Sequence, residues 1–160
     1  MKTSLLFSLL FACIGFQSCK KNQNEEVDKA KQIQAEKPIN VQCFKALYEQ
    51  DTIELKMNTL KNGKITGDMV MKFFNTEKKV GKIAGEFSGD TLFASYTFIQ
   101  GDNKKVTFKN PMAFLKRGDQ LILGNGKMQT TMGATYFVKD SPIDFESVKF
   151  KFSAVECVTE

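Results

Sequence analysis

The 160-residue chain carries 23 basic and 18 acidic side chains, a net charge of +5, four cysteines and no histidine. Without imidazole, Ser–His and Cys–His nucleophilic machinery and the usual histidine-bearing zinc and iron sites are excluded. The basic excess is almost all lysine, with Arg117 the single arginine. This argues against the planar, bidentate readout used on nucleic acids and for a solvated face attracted to acidic membrane components or glycans.

The first element is a leader. Lys2, an apolar run from Leu5 to Phe16 and the small residue Ser18 meet the requirements of a signal peptide over residues 1–18, followed by Cys19 and an abruptly polar Lys20-Lys21-Asn22. The apolar run falls short of the roughly 20 residues needed to span a bilayer. Phe16-Gln17-Ser18-Cys19 resembles the relaxed lipobox of Bacteroidota lipoproteins, with Phe16 in place of the usual aliphatic residue and Gln17 in place of the usual small one. Leu10-Phe11-Ala12-Cys13 fits almost as well but leaves a very short apolar core. The resemblance implies that Cys19 is diacylated, becomes the first mature residue, and anchors the chain in the cell envelope, at the outer membrane. At about 0.8 kcal/mol per buried methylene, two or three acyl chains make a permanent anchor. Removing the leader, with its one lysine and no acids, leaves a net +4.

Residues 19–42 read as the lipidated cysteine and a flexible tether. Val27, Ala30 and Ile33 offer only a weak helical face in a Lys-, Glu- and Gln-rich stretch containing Pro38. A coil of this length separates its ends by roughly 25 Å. Glu25-Glu26 resembles the acidic export signal of such lipoproteins but lies later than usual, so periplasmic and surface exposure both stay open.

Residues 43–160 form a single β-domain by period-two alternation broken at Gly, Asn and Asp. Strands are expected over Cys43–Tyr48, around Ile53 to Met57, Ile65 to Phe73 after the hairpin signal Lys61-Asn62-Gly63, Val80–Ser88, and Leu92 to Phe98. Further strands are expected over Lys104–Phe114, Gln120–Leu123, Thr135–Val138 and Phe145–Glu156, making eight or nine. With Cys13 in the leader and Cys19 assigned to lipid, Cys43 and Cys157 remain as an even pair in an oxidising compartment and are expected to be disulfide-bonded. Both fall on the lysine-bearing faces of the first and last strands, as adjacency of those strands requires. An all-β antiparallel meander closed into a small barrel follows, with a β-sandwich as the alternative.

Chemistry is sparse. Asp51, Glu86, Asp90 and Asp119 are the only carboxylates placed for acid–base work, but the aspartates sit beside turns where they bind backbone groups, and Glu86 alternates with the core residue Phe87. Gly67, Gly85 and Ala94 on the apolar faces signal close packing or bends, with an apolar ligand cavity as the functional alternative. The stretch Gly81-x-Ile83-x-Gly85, then Gly89-Asp90-Thr91-Leu92-x-Ala94-x-Tyr96-Thr97-Phe98, resembles small Bacteroidota lipoproteins without assigned activity. No catalytic residue, metal site or cofactor is expected. The expected function is a non-enzymatic binding or interaction module, with a ligand near an open barrel end around Tyr96 and Arg117. An envelope-assembly or stress-related subunit and a carboxylate-dependent enzyme are the alternatives. Expected partners are the membrane through the lipid, and an unidentified protein or a small apolar ligand.

Overall fold

The computed structural model describes residues 36–132 and 134–158. The expected leader, Cys19 and the expected tether as far as residue 35 lie outside the described residues. Ten strands follow in chain order: β1 (Asn40–Tyr48), β2 (Asp51–Thr59), β3 (Lys64–Lys72), β4 (Lys79–Ser88), β5 (Thr91–Gln100), β6 (Phe108–Arg117), β7 (Gln120–Leu123), β8 (Met128–Thr131), β9 (Ala134–Phe137) and β10 (Lys151–Val155). Among the described residues there is no helix.

β1 to β7 form an up-and-down meander of antiparallel neighbours, and β10 then enters between β7 and β1 to close the barrel. In the closing seam Phe44 lies opposite Ala154 and Ala46 opposite Phe152, while Phe152 faces Leu121 across β7. This continuous circuit excludes the sandwich. The Cys43–Cys157 disulfide bridges the seam on the outer wall, with Cα atoms 5.2 Å apart across a sequence separation of 114.

Several boundaries differ from the sequence expectation. Asn40 to Gln42 belong to β1, paired with Thr59 to Met57, and not to the tether. All three are exposed, so no burial pattern marks them. β6 begins at Phe108 because Lys104 to Thr107 belong to the preceding turn region, where Lys104 donates to the Asp102 carbonyl and Lys105 to the Asn103 side chain. The last strand is only Lys151–Val155. β8 has four exposed residues, Met128 to Thr131, whose pattern carries no alternation, and pairs with β9 in a separate ribbon, so the Thr135–Val138 expectation lies outside the barrel.

The interior is built by the inward face of the meander. Ala46, Ile53, Met69, Leu92, Phe114 and Phe152 are fully buried, with the last two rings edge-to-face at 5.8 Å. Each large apolar side chain removed from water contributes about 1.5–3 kcal/mol. Gly67, Gly81 and Gly85 lie where neighbouring strands approach too closely for a side chain. A Cβ at Gly81 would meet the Thr97 carbonyl and the Phe98 Cα, and one at Gly85 the Phe93 carbonyl and the Ala94 Cα. These are the bends that let a small barrel close. At these glycines the place of a first side-chain carbon is thus taken by the backbone of the adjacent strand.

A second layer covers the outside of β6 and β7. Ala113 and Ile122 point away from the barrel interior yet are 0% and 2% exposed. β9 lies against β6, and Ile143 and Phe145 close over Gly124. Reciprocal backbone bonds join Asn125 and Asp144 at 2.8 and 2.9 Å. The Asp144 carboxylate accepts the Glu146 and Ser147 N–H groups, which holds its pKa below the usual value.

Candidate functional site: the barrel mouth

The two ends of the barrel differ. At the end of the β1–β2, β3–β4 and β5–β6 turns, aromatic rings plug the opening: Phe150 packs on Tyr48 at 6.0 Å and Phe73 at 5.8 Å, and Phe98 stacks on Phe108 at 5.4 Å. Lys79 Nζ lies 5.6 and 5.5 Å from the Phe73 and Phe98 ring centroids. The opposite end is open, with a recess of about 430 Å³.

That mouth arises from the strand pleat. Residues two apart share a face, so the inward faces of β1, β2, β6 and β10 continue past the core to the opening. On β1, Phe44 is succeeded at the opening by Gln42; on β2, Met57 by Thr59; on β6, Phe114 by Lys116; on β10, Phe152 by Ala154. Phe44, Met57, Ile65, Phe87 and Leu121 form an apolar floor beneath a rim that includes Gln42, Thr59, Lys116, Asp119 and Gln120. The Gly118-Asp119 turn and Gly63 complete the rim without bulky side chains. An apolar floor under a few convergent polar groups is the arrangement expected of a small-molecule site. A larger trough of about 600 Å³ on the outer wall over Gly81 is lined by Val80, Thr97 and Lys109.

Tyr96 and Arg117 do not form a joint site. Tyr96 is 1% exposed inside the barrel, its ring stacked on Phe98 at 4.7 Å and its hydroxyl donating to the Met69 carbonyl at 3.1 Å. Arg117 lies on the outer wall near the mouth and forms a two-pronged pair with Glu146, at 2.7 and 3.4 Å, that ties the outer layer to the barrel. Burial pushes the Tyr96 phenol far above the usual range. The folded chain then keeps a proton that the unfolded chain releases near pH 10, so stability falls as pH rises beyond about 10. Tyr96→Phe should flatten this alkaline limb and cost about 1 kcal/mol at neutral pH through the lost hydrogen bond, as read by urea unfolding across pH. A parallel alkaline decline in both proteins would contradict it.

The Arg117 guanidinium, by hydrogen bond and charge, holds the Glu146 carboxyl below its ordinary range. In Arg117→Ala the Glu146 resonance, followed by NMR, should titrate at higher pH than in the wild type.

The four carboxylates are dispersed. Asp51, at the plugged end, accepts the Phe74 N–H at 2.8 Å. Asp90 and Asp119 occupy turns at the mouth end, and it is the Asp90 backbone carbonyl that accepts the Lys116 N–H. Glu86 is exposed on the outer wall. The mouth is not visible in the sequence because its residues come from seven strands and two turns. Its local signal is the switch from apolar to polar at the last inward position of β1, β2 and β6.

Compared with protein-family models, with curated proteins and with solved structures, the chain gives no match.

Proposed function

We propose that this chain is a lipid-anchored lipoprotein of the cell envelope, held at the outer membrane through Cys19, whose barrel is a non-enzymatic binding module. Its ligand is a small amphiphile with an apolar body in the mouth and a polar end at the rim. The observation that carries this reading is the mouth: Phe44, Met57 and Leu121 at the floor, Gln42, Thr59 and Lys116 above them. The leader and the resemblance of Phe16-Gln17-Ser18-Cys19 to Bacteroidota lipoboxes support the anchor. A disulfide-stapled barrel suits an oxidising compartment.

Two measurements test the two parts separately. Mass spectrometry of the membrane-extracted protein should find acyl chains on Cys19; an unmodified Cys19 on a soluble chain would remove the anchor. Titration with a dansyl-labelled fatty acid should give saturable one-site fluorescence enhancement, and Ala154→Trp, which fills the mouth from an exposed inward position, should lower affinity by at least about tenfold. Unchanged affinity in that variant would rule out the mouth.

A further inference from the structure

At the plugged end, the β3–β4 and β5–β6 loops lie side by side: Gly101 N–H donates to the Lys78 carbonyl at 2.9 Å, and Glu77 packs over Gly101. These loops and the strand ends beside them present Lys78, Lys104, Lys105 and Lys109, none of which makes an ion pair among the described residues. Glu77 and Asp102 are the acids in the same two loops. Phe74, Val106 and Phe108 stand among the lysines, 58%, 44% and 44% exposed. The β1–β2 turn at the same end adds Glu49 and Asp51, while the turns and adjoining strand ends of the mouth hold Lys61, Lys64, Lys116 and Arg117 together with Glu86, Asp90 and Asp119.

We infer that the β3–β4 and β5–β6 loops form a membrane-docking tip that seats on an anionic bilayer surface. The inference is independent of the reading of the mouth. Lysines supply attraction to acidic headgroups without demanding a fixed partner geometry. Exposed aromatic and aliphatic side chains at the same spot enter the headgroup boundary. An acidic polysaccharide would use the charges but would leave Phe74 and Val106 without an apolar environment. The tip is at the end opposite Asn40, so a domain seated by it turns the mouth away from the bilayer.

The core, the closing strand and the disulfide all lie within residues 40–157, so residues 36–160 contain every element of the fold and can be tested without an anchor. This unit should co-sediment with phosphatidylcholine vesicles containing phosphatidylglycerol, not with phosphatidylcholine alone, and high salt should release it. The triple change Lys78→Gln, Lys104→Gln, Lys105→Gln should weaken partitioning on the order of a hundredfold. Phe74→Ser should weaken it further, with unchanged thermal unfolding. The control Lys37→Gln, Lys61→Gln, Lys64→Gln removes the same charge from the mouth side and should retain binding. Equal loss in both triple variants, no binding to anionic vesicles, or capture by soluble alginate with none by vesicles would each overturn the inference.

Discussion

Replacing Cys43 and Cys157 together by alanine should lower the unfolding free energy by about 4 kcal/mol, measured by urea denaturation under non-reducing conditions. The bridge spans 114 residues, and the chain-entropy model assigns roughly 4–5 kcal/mol to a loop of that size. Little packing is lost with it, because Cys157 is exposed and Cys43 only partly covered. The effect therefore comes mainly from the unfolded chain, which without the bridge is free to separate its ends. A steeper urea dependence should accompany the loss, since the unbridged unfolded state exposes more surface. A loss below about 1 kcal/mol would mean that the unfolded chain already holds β1 and β10 together.

Gly81→Ala should be comparably damaging, at about 3 kcal/mol or more, from a single methyl group. Its Cβ would come within 2.6 Å of the Phe98 Cα and 2.7 Å of the Phe98 Cβ, besides overlapping the Thr97 carbonyl. The β5 backbone cannot rotate away as a side chain could, so relief requires β4 and β5 to separate along their paired register. Gly89→Ala is the matched comparison. Gly89 has open space around it and a φ of 60°, so alanine there costs only about 1 kcal/mol of conformational strain. If the two substitutions proved equal in thermal and urea unfolding, close strand approach would not be the reason for Gly81.

These cases also show what could be read from the residues. Alternation in β2 to β5 was legible because one face is buried and the other wet, so Ile53, Leu55 and Met57 stand apart from Glu54 and Lys56. The cysteine pair was legible for a related reason, since period two places Cys43 beside Lys45 on the outer face. The outer layer was not legible. Ala113 between Met112 and Phe114, and Ile122 beside Leu121, break the alternation because those strands are covered on both sides. Such a break is a usable sign of a second layer, though it does not say which distant segment supplies it. The mouth was hidden for a different reason: no short window contains it, and its polar rim residues look like ordinary surface. Tyr96 and Arg117 were expected near a ligand at an open barrel end, yet a buried hydroxyl needs an acceptor and an exposed guanidinium a carboxylate, and Met69 and Glu146 satisfy them.

The seam between β1 and β10 sets an order of assembly. β1 to β7 can zip sequentially, each strand finding its partner across a short turn, but β1 and β7 keep one open edge each until Lys151–Val155 arrives. Pairings of such long sequence separation form late and slowly. Every partly folded form therefore carries two unpaired strand edges, which are sites for intermolecular pairing. Closure and disulfide formation bury that hazard in one step, so truncation before residue 151 should yield a chain that aggregates.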